Sequence, residues 1–305
     1  RMTTLPTPGF KNWLLLVTLG VVWGASFMGS KFALTGYPPL WVAAFRICIG
    51  AITLTCLAYA LGRRLPNWNA PDGKRIWVHA LGMAIFTNAV PFTLLAWGQV
   101  YVTSGFAGIT MAVVPLLVLP MAHFLVAGDR MGMRKVIGFA IGFVGTIVLI
   151  GLDAFQLSGR DWEPIARLAC VGAACCYAIG SIITRLCPPV STMGFASAGL
   201  VLASAIMLPI AIMVEGIPAA ASMTAILGVA FLGLFTTALA TIMLVTVINS
   251  AGPSFLSLVN YQVPLWAVVF GVVLLGETLP AQFIWALGLI LIGVAISQFK
   301  WNRKA

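Results

Sequence analysis

Ten stretches of about twenty apolar residues follow one another along the chain, separated by short polar or turn-forming segments. They cover residues 12–34, 39–61, 76–99, 103–126, 134–151, 163–184, 192–214, 222–247, 252–274 and 281–299. A bilayer core about 30 Å thick is crossed by roughly 20 residues of α-helix, so each stretch predicts one spanning helix. Two boundaries are faint. Only Gln99 to Gly105 separates the third stretch from the fourth, and only Asn249 to Pro253 the eighth from the ninth. Both still carry turn residues. The first stretch is too long for the apolar region of a cleaved signal peptide and lacks a small-residue cleavage site, so it is expected to remain as a span.

Composition agrees with this reading. Of 305 residues, 61% are hydrophobic and 8% charged, and the mean hydropathy is +1.06. Soluble domains carry roughly 25% charged residues. A water-facing surface cannot be built from so few, which makes lipid the expected solvent. The net charge of +10 would suit a nucleic acid if it lay on one face. It falls between the apolar stretches instead, and nucleic acid is excluded as a partner.

The charges carry topology. With ten spans and a cytoplasmic N-terminus, one side receives Lys11, Arg63, Arg64, Lys74, Arg75, Arg130, Arg134, Lys135, Arg185 and the basic C-terminus. The other receives only Arg160 and Arg167, beside Asp153, Asp161 and Glu163. By the positive-inside rule both termini are expected in the cytoplasm. The cysteines lie mainly within apolar stretches and form no C-x-x-C pair, so they read as packing residues; no metal or cofactor is expected.

The two halves of the chain, 12–151 and 163–299, are related. Pro115 to Gly145 has a partner in Pro264 to Gly293: Ala127-Gly128-Asp129, Gly138 and Gly145 answer to Leu275-Gly276-Glu277, Ala286 and Gly293. A fainter echo pairs Trp23 with Tyr177 and Lys31 with Arg185. Five helices per half is an odd number, so equivalent helices cross the membrane in opposite directions. The predicted fold class is therefore an all-α membrane protein, ten helices in two inverted five-helix repeats. Such inverted repeats mark secondary transporters with a site near the midplane.

Trp23-Gly24-Ala25-Ser26-Phe27 followed by Lys31, Phe45-Arg46, and the proline helix ending in Gly276-Glu277-Thr278-Leu279 resemble the drug/metabolite transporter superfamily and its EamA family. The resemblance covers the whole chain. Asp129 departs conservatively from the family's usual glutamate. In overall pattern the chain looks most like the YddG-type exporters of aromatic amino acids. The resemblance implies a multi-pass exporter of the bacterial inner membrane with a central cavity; a monomer would suffice. It leaves the substrate open among amino acids, drugs, nucleotide sugars and sugar phosphates.

Polar and aromatic residues at mid-depth are the candidate site, because they are costly in lipid. On the third helix Asn88, Phe92 and Gln99 share a face. On the ninth, Ser257 and Tyr261 share one, with Asn260 beside Ser257. The eighth contributes Thr237, one turn before Thr241. On the first, Trp23, Phe27 and Ser30 point roughly toward Lys31, and Tyr177 on the sixth answers Trp23 through the repeat. Hydroxyls, amides and rings on converging faces suit an amphipathic, ring-bearing solute. Serine and threonine in such helices also commonly bond a carbonyl one turn back, and Lys31 also reads as a side chain snorkelling to the interface. His79 and His123 lie away from mid-depth and read as packing residues.

No Asp or Glu lies deep in a span; Asp129, Glu215 and Glu277 fall at span ends. A cavity without a buried anion disfavours cationic drugs, whereas Lys31 and Arg46 favour an anionic or zwitterionic group. Sugar-phosphate carriage would call for more than two deep cations. A membrane-embedded enzyme is disfavoured, since no serine–histidine pairing of a protease and no catalytic loop appears. A channel is the remaining rival class. The expected activity is export of small amphipathic metabolites, aromatic or neutral amino acids foremost, either coupled to protons or down a gradient.

Overall fold

The computed structural model describes residues 9–126, 131–150, 162–251 and 253–298, and among these the secondary structure is helical throughout. Asp129, Arg130, Arg160 and the basic C-terminus lie outside the described residues. The ten predicted stretches appear as α1 (Phe10–Leu34), α2 (Pro39–Ala60), α3 (Gly73–Tyr101), α4 (Ser104–Leu125) and α5 (Met133–Ile150), then α6 (Glu163–Leu186), α7 (Thr192–Glu215), α8 (Met223–Ala251), α9 (Val259–Leu275) and α10 (Ala281–Gln298). Eight are long and apolar enough to cross a membrane, and α9 and α10 are shorter apolar helices. A four-residue turn of helix, Pro253–Leu256, precedes α9. This is a multi-pass membrane protein.

The helix ends follow from local chemistry. Thr103, Ser191 and Ser222 each accept a hydrogen bond from a backbone N–H three residues on, capping α4, α7 and α8. Proline stands within the first helical residues of α2 and α6, where its missing N–H costs nothing. Gly276 closes α9 in the left-handed region at φ +64°.

Three irregularities were not predicted. In α3 the backbone widens to a π-helix over Ala84–Ala89, and in α8 over Leu232–Leu239. Pro91 follows the first and removes the N–H that the Thr87 carbonyl would receive in an α-helix. No proline follows the second; there Thr236 and Thr237 both donate to the Leu232 carbonyl, at 2.8 and 3.0 Å. The ninth stretch is the third case. It breaks at Ser257 and Leu258, so the straight-helix face drawn through Ser257 and Tyr261 is interrupted.

Packing rests on small residues, as lipid supplies no hydrophobic drive between helices. α5 packs along α10, where a Cβ on either Gly138 or Gly293 would lie 2.5 Å from the carbonyl oxygen of the other. α2 packs along α7, and α1 lies between α8 and α9. α6 lies correspondingly between α3 and α4.

Candidate functional site

The two π-segments hold corresponding sequences, Ile85-Phe86-Thr87-Asn88-Ala89 and Leu234-Phe235-Thr236-Thr237-Ala238. In each, one polar side chain reaches the carbonyl five residues back. Asn88 donates to Met83 at 3.3 Å, and Thr237 to Leu232 at 3.0 Å. Both residues are buried, and both fall near the middle of a 29-residue helix. A π-turn opens the i→i+4 ladder and is frequent at functional sites.

Around Thr237 the structure assembles a cluster from four helices. Arg46 of α2 donates through Nε to the Thr237 hydroxyl at 3.2 Å, and its guanidinium carbon lies 3.8 Å from the centre of the Phe92 ring. Phe92 meets Tyr177 of α6 edge-on, ring centres 6.4 Å apart. Close backbone approach makes this possible: a Cβ on Gly50 would stand 2.6 Å from the Thr237 methyl, and one on Gly233 would stand 3.3 Å from the Arg46 carbonyl. On the other side, Gly180 of α6 leaves room for Thr87. Thus Asn88, Phe92, Tyr177 and Thr237 of the predicted set are drawn to the segments around the π-turns, with Arg46 among them.

The other predicted residues lie elsewhere or have partners. Lys31 donates to the carbonyls of Gln99 and Val102, at 2.6 and 2.7 Å, where α3 ends. A cation there meets the negative end of the helix dipole. Gln99 is 1% exposed and donates to the Phe27 carbonyl at 2.8 Å, while Phe27 itself is packed beside Gly108. These three tie α1 to α3 rather than open onto the Arg46 cluster. Trp23 and Tyr261 are half-buried against the larger apolar core, which Tyr177 also touches. Asn260 is half-buried, and Ser257 sits in the break before α9. The serines of α1 bond back along the helix, Ser26 to Trp23 and Ser30 to Ser26.

The carboxylates close the helix ends. Glu277 accepts from the Ser104 N–H at 2.7 Å, the Ser104 hydroxyl at 2.9 Å and the Gly105 N–H at 3.1 Å. Glu215 accepts from the N–H groups of Leu40 and Trp41, both at 3.1 Å. A cavity of about 190 Å³ lies near the start of α4, lined among others by Tyr101, Val102, Thr278 and Phe283. Arg167 lines it too, but already donates to Glu163 and to the Ile150 carbonyl. It shares no residue with the Arg46 cluster. Among the described residues no group of His, Cys, Asp or Glu is placed to hold a metal ion.

Two stretches, residues 11–151 and 164–299, each match the profile of the EamA-like transporter family. The chain belongs to that family. It is 29% identical over 284 residues to the "Uncharacterized inner membrane transporter YedA" of Escherichia coli (strain K12), covering 92% of this chain and 88% of that protein. It is 26% identical to an "Uncharacterized transporter" of Archaeoglobus fulgidus, covering 94% of this chain and 98% of that one. Bacillus subtilis "Uncharacterized transporter YoaV" is 22% identical, covering 96% and 99%. A protein of known crystal structure, 20% identical, matches with a TM-score of 0.66 over 94% of this chain and 97% of its own, which shows the fold alone. Family and relatives point to a membrane transporter rather than an enzyme, and their names carry no substrate, so the aromatic-exporter subtype rests on the residues themselves.

Proposed function

We propose that this EamA-family protein is a secondary transporter of the bacterial inner membrane that exports small amphipathic metabolites, aromatic and neutral amino acids foremost. It works by alternating access around a site between two inverted five-helix repeats, with both termini in the cytoplasm. The observation that carries this reading is the pair of π-segments: Asn88 and Thr237, at corresponding places in the two halves, make the same bond to the carbonyl five residues back. The helix pairs support it further. Exchanging the halves turns the α1–α8 and α1–α9 contacts into α6–α3 and α6–α4 contacts, and leaves α2–α7 and α5–α10 paired with themselves. Two halves that pack alike but point oppositely can present one site to either side in turn.

Phe92 and Tyr177 at the centre, with Trp23 and Tyr261 on the flanks, offer rings to an aromatic side chain; such contacts contribute about 0.5–1.5 kcal/mol per pair beyond area burial. Asn88, Thr237, Ser257 and Asn260 supply neutral hydrogen bonds. Phe27, Lys31 and Gln99 hold the end of α3 in place.

The deciding experiment is counterflow in proteoliposomes, with labelled phenylalanine exchanged against amino acids, sugar phosphates and organic cations. Phenylalanine, tyrosine and tryptophan should drive exchange, neutral aliphatic amino acids more weakly, and glutamate, arginine and quaternary ammonium ions poorly. Preferential exchange of a quaternary ammonium dye would overturn the substrate assignment.

A further inference from the structure

The geometry points to Arg46 as the group that recognises a single carboxylate on the transported molecule, an inference that rests on the proposed transport site. Its position excludes the ordinary account of an arginine in a membrane helix, which is that the side chain runs out to the interface. The Arg46 backbone is seven residues into α2, roughly 10 Å from that helix end at 1.5 Å per residue. A side chain seeking water would turn back toward that end. Instead Nε reaches Thr237, fourteen residues into the 29-residue helix α8, whose start packs beside Gly36 at the same end as the start of α2. The charge is therefore held inward, at mid-depth.

No described residue neutralises it there. Among the described residues no carboxylate pairs with Arg46, and those nearest the helix ends, Glu215 and Glu277, are engaged by backbone N–H groups. Of the five N–H donors of a guanidinium, the structure uses one, on Nε. The two terminal nitrogens donate to no described residue. Arg46 as a whole is half-buried. The Phe92 ring, its centre 3.8 Å from the guanidinium carbon, and the bond from Nε to Thr237 together restrict how the head can turn. A planar, unpaired, oriented fork is the partner that a carboxylate accepts in two parallel hydrogen bonds.

Charge then limits the ligand. Lys31 is held by two carbonyls, so among the described residues Arg46 is the single deep cation without a protein acceptor on its terminal nitrogens. One positive charge matches one carboxylate. It leaves a phosphate monoester, with its second charge, uncompensated in a region of low dielectric. A neutral amino acid fits on both counts, its carboxylate on Arg46 and its ammonium toward the neutral acceptors of the site.

Binding to the purified full-length protein in lipid nanodiscs tests this, using L-phenylalanine, L-phenylalaninamide, L-leucine, L-leucinamide and glucose 6-phosphate in isothermal titration. Each amide should bind at least tenfold more weakly than its acid, and glucose 6-phosphate more weakly than either acid. Arg46→Gln should weaken the acids at least tenfold and leave the amides unchanged, with Arg46→Lys intermediate. Equal affinity of acid and amide for the unaltered protein overturns the inference and needs no variant. So does tight binding of glucose 6-phosphate, absence of binding by both acids, or unaltered phenylalanine affinity in folded Arg46→Gln. If leucine binds in an Arg46-dependent way and phenylalanine does not bind, the carboxylate assignment stands and the aromatic substrate reading falls.

Discussion

Removing the Glu277 carboxylate should loosen the joint between the end of α9 and the start of α4, and the structure allows the loss to be sized. Three donors converge on that carboxylate: the Ser104 N–H and hydroxyl, and the Gly105 N–H. The left-handed turn at Gly276 and the bond from the Glu277 N–H to the Gly271 carbonyl hold it in place. Hydrogen bonds to a charged group contribute about 1.5–3 kcal/mol each when buried. Here they are worth less, because Glu277 is half-buried and Thr103 separately caps the same helix. Glu277→Ala should therefore cost about 2–4 kcal/mol, which lowers the melting temperature by about 4–8 °C in a chain of this size. Glu277→Gln should behave nearly as badly. Its amide keeps one acceptor but turns an NH2 toward groups that are themselves donors. Melting of the detergent-purified variants, followed by size-exclusion fluorescence, reads the shift directly. A Glu277→Ala protein that melts within about 1 °C of the unaltered one would show that the three bonds add nothing net, and the argument from capping would fail.

Three further outcomes follow from other contacts. Lys31→Met should lower thermal stability by several degrees while the folded fraction keeps its substrate affinity; a large rise in apparent KM without loss of stability would return Lys31 to the binding site. Gly50→Ala places a Cβ 2.6 Å from the Thr237 methyl and should weaken substrate binding about tenfold, whereas Gly288→Ala, with open space around it, should be neutral in the same titration. Single cysteines at Asn69 and Ser158, in a background without native cysteines, should label from opposite sides of the membrane with Asn69 inside; labelling of both from outside contradicts the cytoplasmic N-terminus.

The helices were legible because lipid imposes one rule on every span, length and apolarity together, and that rule is written in composition. The site was legible only in part. Asn88, Phe92, Tyr177 and Thr237 stood out as polar or aromatic residues at mid-depth, which depth alone reveals. The gathering of Phe92, Tyr177 and Thr237 with Arg46 did not, because helical periodicity assumes 3.6 residues per turn and a π-turn shifts every later side chain off that face. A signal was present: Ile85 to Ala89 and Leu234 to Ala238 repeat at a constant offset, ending in Asn-Ala and Thr-Ala. Lys31 shows the opposite difficulty. Its sequence marks it as a deep cation, but the free carbonyls at the end of α3 that receive it are backbone atoms, identical at every position and invisible until the fold places them.

The proposed symmetry also has a limit that bears on mechanism. Asn88 answers to Thr237, and each makes the same bond, so the two π-segments offer matched points at which α3 and α8 can bend. Arg46 has no such counterpart: α7, which pairs with α2, contains no lysine or arginine anywhere along Thr192–Glu215. A cation on both α2 and α7 would place two like charges across one site and would call for a dianion. In the proposed transport cycle, one cation on one half would leave the scaffold symmetric enough to alternate and the site asymmetric enough to orient a molecule, with its carboxylate toward α2 and its apolar body toward Phe92 and Tyr177. The substrate should then keep one orientation relative to the protein whichever side of the membrane the site faces.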